Sequence, residues 1–196
     1  VLTKIRNLYD DQAPLELVEL PIPTPGEREV LIRVQTCGVC HTELDEIEGR
    51  TPPPRFPMVL GHQIVGVVKE KGVESHLHNL GDRVGVGWYF NSCRKCEHCL
   101  AGNENLCAEY QATGRDANGG YAEWMVVPEE SAFKIPSVLS DSEAAPLLCA
   151  GAIGYRSLRL AGVTEGQKLG LTGFGASAHL VLKTVRHLYP NVEVYV

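Results

Sequence analysis

Seven cysteines are distributed unevenly over the 196 residues, and four of them crowd into one short stretch. Cys93, Cys96, Cys99 and Cys107 form a Cys-x2-Cys-x2-Cys-x7-Cys array. Two intervening residues let successive thiolates turn toward a common centre, and a fourth sulfur completes a tetrahedron with Zn–S near ~2.3 Å. Arg94 and Lys95 place positive charge where it favours thiolates. Four sulfurs leave no open coordination position, so the spacing predicts a structural zinc. A redox dithiol or an iron–sulfur site is the alternative. Against the latter, the last spacing exceeds that of the bacterial ferredoxin run and no proline follows Cys107. His98 lies within the array, but four cysteines already fill the shell.

Three further segments carry metal-ligand residue types: GVCHTEL (38–44), GHQIVGVV (61–68) and APLLCAG (145–151). Each alone is weak, since a histidine after glycine is usually a polar loop residue and a buried cysteine a small hydrophobe. Near the other end, Gly173-Phe174-Gly175-Ala176-Ser177-Ala178 fits G-x-G-x-x-A. It follows a predicted strand and opens a predicted helix, the setting in which such a turn cradles a dinucleotide pyrophosphate on a helix N-terminus. The residue that selects NAD or NADP lies ~20 residues further on. That position falls in the predicted strand 192–196, where the sequence stops.

The elements that must position these residues change character along the chain. Residues 30–36 alternate Val30, Ile32 and Val34 against Leu31, Arg33 and Gln35, the period of a half-buried strand. Segments 62–68, 82–87 and 123–127 read similarly, and the proline-rich 51–57 runs extended as a connector. Ser140-Asp141-Ser142-Glu143 has capping-box spacing and opens a helix. A second helical stretch closes near Gly162. Residues 167–172 then form a strand, and Ala178, Val181, Leu182, Val185 and Leu188 line one face of an amphipathic helix before the strand at 192–196. The expected architecture is a β-rich domain followed by the start of an α/β domain.

Composition narrows the function classes. With 18 Lys+Arg against 24 Asp+Glu, the net charge of −6 offers no electrostatic footprint for nucleic acid. No apolar run approaches the ~18 residues needed to cross a bilayer. The polar opening residues do not suit a signal peptide, so a cytoplasmic location is expected, with the cysteines as thiols or metal ligands.

Taken together, and with GGYAEWMVVP following the cysteine loop, these segments resemble the zinc-dependent medium-chain alcohol dehydrogenases over essentially the whole chain. The resemblance implies a mixed α and β chain. Residues 1–152 would be a GroES-like β-barrel catalytic domain carrying a structural-zinc loop at 91–108, and residues 153–196 the start of a Rossmann nucleotide-binding domain. It implies Cys40, His62 and Cys149 as ligands of a catalytic zinc, hence two zincs per chain, and NAD or NADP as hydride acceptor. Thr42 would bond the substrate oxygen and start a proton relay, in which Asp45, or water directly, would accept the proton from the cofactor ribose. His41 would contact cofactor phosphate, alongside Gly173, Gly175 and Ala178. Trp88 would wall the substrate pocket, and the complete protein would be a homodimer or homotetramer acting on small alcohols or aldehydes.

The chain departs from the family pattern at three places. Gln63 stands where the motif has a glutamate next to the ligand histidine, Glu43 where an aspartate is common, and Asp45 where some members have a relay histidine. Glu43, one methylene longer, still reaches to accept a hydrogen bond from His62 and fix its tautomer. Polyol, formaldehyde or amino-alcohol dehydrogenases of the same family share these ligands, and a non-catalytic zinc-stabilised module is the reading from another class. The chain begins at Val1 and stops within the cofactor domain, which identifies it as an expected fragment or abridged sequence. Metal analysis separates the classes: two zincs per chain are expected, and a single zinc would leave only the cysteine loop.

Overall fold

β-branched residues dominate the segments that become the central sheet, and their side chains make its core. The computed structural model describes residues 1–196, which divide into two compact units, Val1–Ala145 and Pro146–Val196. The first contains β1 (Glu29–Cys37), α1 (His41–Ile47), β2 (Ile64–Lys71), β3 (Arg83–Val86), β4 (Tyr89–Asn91) and α2 (Glu97–Leu100). It continues through β5 (Gln111–Ala112), β6 (Trp124–Pro128), β7 (Ala132–Lys134) and α3 (Asp141–Ala144). An antiparallel five-stranded sheet runs in the order β6-β1-β2-β3-β7, and β4 pairs with β5 separately.

Val30, Ile32, Ile64, Val68, Val84, Val86, Met125 and Val127 fill one side of this sheet. Leu31 is buried as well, so the first half of β1 is covered on both faces and departs from strict alternation. The register against β2 shifts between Leu31 and Ile32, the signature of a bulge that locally breaks the period of two. Gly66 pairs with Val34 on one side and Val84 on the other. A Cβ there would sit 2.5 Å from both the Arg33 carbonyl oxygen and Ile32 Cγ2. The close approach of β1 to β2 therefore requires glycine.

The second unit contains α4 (Ala150–Ala161), β8 (Lys168–Gly170), α5 (Ala176–Leu188) and β9 (Glu193–Tyr195). β8 and β9 are parallel neighbours joined through α5, the β-α-β arrangement expected from sequence. Leu158, Val163, Val181, Val185 and Val192 form its core. Of the expected α5 face, Val181 and Val185 are buried, Ala178 and Leu182 half-buried, and Leu188 exposed in the last turn. The boundary between units falls seven residues before the expected 152/153. A 3-10 turn over 145–148 ends the first unit's chain path, and α4 takes its packing from α5. The capping box appears as read: Ser140 Oγ accepts from the Glu143 N–H at 3.3 Å, and Glu143 accepts from the Ser140 N–H at 2.9 Å.

Substituting Gly66→Ala forces β1 and β2 apart and is expected to cost about 2 kcal/mol of unfolding free energy, as overpacking does. Urea denaturation measures it; an unchanged midpoint contradicts the close approach.

Candidate metal centres

All four sulfurs of the 93–107 loop lie within 4.8 Å of one another. Cys93 and Cys99 Sγ are 3.9 Å apart, and Cys96 and Cys99 Sγ 3.5 Å. A tetrahedral zinc with Zn–S of ~2.3 Å sets its sulfurs about 3.8 Å apart, so these spacings suit a shared metal. They are far too long for a disulfide, whose sulfurs sit at ~2.05 Å. Backbone geometry prepares the thiolates. Cys107 Sγ accepts N–H bonds from Cys93 at 3.5 Å and Glu109 at 3.3 Å, and Cys93 Sγ accepts from Cys96 at 3.4 Å. Backbone N–H groups of Lys95 and Cys96 pull the Cys93 thiol down to about 6. The Cys99 N–H also favours the Cys96 thiolate, but burial and the neighbouring thiols of Cys99, Cys93 and Cys107 outweigh it and push Cys96 up to about 11. Four sulfurs this close hold their negative charge together only around a cation. The donor set fits zinc.

The second group is organised by one carboxylate. Cys40 has extended backbone (φ −126°, ψ 163°) and caps α1. Glu43, in the first turn, turns back so that its Oε2 accepts from the Cys40 N–H at 2.7 Å. Its Oε1 lies 2.6 Å from His62 Nδ1. Both Glu43 and His62 are almost wholly buried. An Nδ1–H donated to a carboxylate fixes the tautomer and makes Nε2 the metal-ligating atom. Cys40 Sγ and a His62 ring nitrogen lie within 4.8 Å. The thiolate and the oriented imidazole are the donor types of an open zinc site, so these residues also fit the metal.

His62 reaches this place because Gly61 before it adopts φ +98°, with the Tyr121 ring and Cys37 Sγ where a Cβ would be. Trp88 meets the His62 ring edge-on at a centroid distance of 4.8 Å, and the Arg115 guanidinium lies over the indole, 5.9 Å from its centroid. Thr42 Oγ1 is 3.6 Å from Cys40 Sγ. Cys37 is a half-buried thiol packed against the sheet core and raised to about 12 by desolvation, as suits a packing residue.

Other expected site residues fall as follows. Asp45 is bonded to Arg50 Nε at 2.5 Å and faces His41 Nε2 at 3.6 Å, so the position read as a relay terminus is already an ion-pair partner. Arg50 was not singled out from sequence. Gln63 is buried, with its amide oxygen 2.5 Å from where a Gly38 Cβ would be. Cys149 caps α4 at the start of the second unit. Gly173 adopts φ +84°, Gly175 caps α5, and nothing lies within 4 Å of a Cβ built at either. Ala178 follows in the first turn of α5, so the turn is open toward the helix N-terminus, as phosphate approach requires. Sequence reading did not single out Glu46, which is completely buried. Its position three residues after Glu43, on the same side of a helix, was the available signal.

Comparison with known proteins places this arrangement. Residues 26–137 match the family model for the alcohol dehydrogenase GroES-like domain. The chain belongs to the zinc-type medium-chain alcohol dehydrogenase family. It is 44% identical over 191 residues to a probable alcohol dehydrogenase AdhA of Mycobacterium tuberculosis (strain CDC 1551 / Oshkosh), covering 95% of this chain and 55% of the relative. Among solved structures, a cinnamyl alcohol dehydrogenase of Sorghum bicolor matches with TM-score 0.82 at 34% identity, over 89% of this chain and 52% of that one. A thermostable alcohol dehydrogenase of Pyrobaculum aerophilum, solved with cobalt and zinc bound, matches with TM-score 0.85 at 30% identity, over 93% and 55%. The chain spans about half the length of the curated relatives it matches. No helix is long and apolar enough to cross a membrane.

Removing the organising carboxylate, Glu43→Ala, leaves the Cys40 N–H and His62 Nδ1–H without their acceptor. Zinc affinity of one of two sites is expected to fall by about 10–100-fold, as loss of such partners does. Competition with a chromophoric chelator reads it, and two unaltered affinities would contradict the role given to Glu43.

Proposed function

We propose that this chain supplies the zinc-binding part of an NAD(P)-dependent alcohol dehydrogenase. The observation that carries the reading is the Glu43 carboxylate, buried and shared between the Cys40 N–H and His62 Nδ1. A carboxylate that fixes a histidine tautomer beside a thiol is arrangement for a metal, and has little other purpose in a dry interior.

Cys40, His62 and Cys149 hold the catalytic zinc in this reading, and Cys93, Cys96, Cys99 and Cys107 the structural one. When bound, zinc supplies a Lewis acid for the alcohol oxygen and NAD(P) supplies the hydride acceptor. The chain's own residues do the rest. Thr42, beside Cys40, accepts the alcohol proton at Oγ1 while donating its own onward, and Asp45, held by Arg50, or water is the final acceptor in this reading. Trp88, held on the His62 edge, walls the substrate and excludes water from the reacting carbon. His41 reaches the cofactor phosphate from the exposed start of α1. Gly173 and Gly175 admit the pyrophosphate to the N-terminus of α5, with Ala178 in its first turn. Thiolate ligation suits the reducing cytoplasm, and the complete protein assembles as a homodimer or homotetramer.

The test is oxidation of a panel of primary and secondary alcohols by the full gene product with NAD⁺ and with NADP⁺. Turnover is expected with at least one cofactor and is lost in Cys40→Ser. A full-length protein that carries two zincs and oxidises no alcohol in the panel overturns the reading.

A further inference from the structure

Only one residue other than glycine has a positive φ, and it lies inside the four-cysteine loop. Arg94, between Cys93 and Cys96, adopts φ 58°. A Cβ in that region crowds the following backbone, so a residue with a side chain stays there only where its surroundings hold it. The conformation serves the loop. It reverses the chain so that the Cys96 N–H points back at Cys93 Sγ, 3.4 Å away.

The Arg94 side chain supplies the hold. Its Nη1 pairs with Glu130 Oε1, and its Nη2 donates to Asn91 Oδ1 at 3.3 Å. Glu130 Oε1 also accepts from Arg28 Nη2 at 2.5 Å, just ahead of β1. The turn that carries Glu130, Glu129–Ser131 between β6 and β7, is anchored through both neighbours. Glu129 is buried, and its Oε2 accepts from Ser75 Oγ at 2.9 Å and from the His76 and Leu77 N–H groups at 2.7 and 2.8 Å. Ser131 Oγ donates to the Phe90 carbonyl at 2.6 Å, one residue before Asn91. Glu130 is therefore a fixed post on the sheet, and Arg94 is tied to it.

Building on the reading of this loop as a zinc site, we propose that Glu130 is a positioning residue for it: the carboxylate latches Arg94 in the left-handed conformation and so keeps the Cys93–Cys96 turn in its metal-binding shape. An ion pair that is partly open to water adds little to the stability of a whole domain. Here it opposes the strain of a single residue, and a small energy decides the shape of one turn. Without Glu130, two cations, Arg28 and Arg94, lose their shared acceptor, and Arg94 relaxes out of the left-handed region. The Cys96 N–H then leaves Cys93 Sγ, and one of the four sulfurs drifts from the common centre. Glycine at position 94 would hold the same φ without a side chain to restrain it, and the latch would have no task.

The experiment follows zinc loss to an excess of chromophoric chelator from the zinc-loaded wild type, Glu130→Gln, Arg94→Gly and the double variant, with Cys107→Ser marking the loop's share. Loop zinc is expected to leave Glu130→Gln about fivefold faster than the wild type, the scale of a side chain forced into this region. Arg94→Gly and the double variant are expected to share one rate. Acceleration by Glu130→Gln on both backgrounds, as a general loosening of the domain would give, overturns the proposal, and so does acceleration on neither. Hydrogen exchange at the Cys96 amide is expected to follow the same pattern, faster in Glu130→Gln only when residue 94 is arginine. Should Glu130→Gln not fold, Glu130→Asp, one methylene short of the pair, takes its place with the same expectations. A wild type that holds no zinc in the loop removes the metal reading, whereas equal Cys96 exchange in wild type and Glu130→Gln removes the latch.

Discussion

One buried carboxylate underlies the local geometry of the first unit's candidate metal-ligand residues. Glu43 has two oxygens and spends one on the backbone of Cys40 and the other on the ring of His62. Those residues come from different structures: Cys40 begins a seven-residue helix, and His62 enters a sheet strand. Burial removes water as a competing partner, so the carboxylate's close contacts to the Cys40 N–H and the His62 ring gain weight in holding the two residues together. The same burial makes the arrangement intolerant, since any group that takes the charge from Glu43 releases both ligand residues together.

The sheet serves that constraint from below. β2 is the middle strand of five, and its entry fixes where His62 emerges. Gly61 adopts a left-handed conformation there, with the Tyr121 ring against it. Gly66 then lets β1 approach closely enough to carry Cys37, and the turn into α1, back over the same edge. Trp88, two residues beyond β3, closes the exposed side of the histidine. Each of these residues is small or aromatic for a steric reason, and the polar chemistry rests on them.

Much of this was legible in the sequence, unevenly. The four-sulfur loop and the G-x-G-x-x-A turn declare themselves because their residues are adjacent and the local backbone decides their geometry. The capping box at Ser140 is equally local. By contrast, α1 went unread, since its seven residues include three acids and are too short to show a 3.6-residue period. Glu46 was invisible for a related reason: an acid among acids reads as solvated, and only tertiary burial tells it from Asp45 beside it. Asp45 in turn looked available because its partner Arg50 lies past the end of the helix, where no periodicity links the two. Leu31 shows the same limit in the sheet, buried because β1 is covered on both faces there, which alternation does not announce.

The two sets of ligand residues also differ in when they can come into being. The sulfurs of the loop span fifteen residues, from Cys93 to Cys107, and closing so short a segment costs little chain entropy. That loop needs no sheet to gather its ligands, so it can capture metal on a chain still emerging or still unfolded. Cys40 and His62 meet only after α1 and β2 exist and a desolvated carboxylate joins them. For the zincs proposed above, loop length alone would order uptake in time: the local set would fill early and stiffen its segment, and the dispersed one would wait for the finished fold.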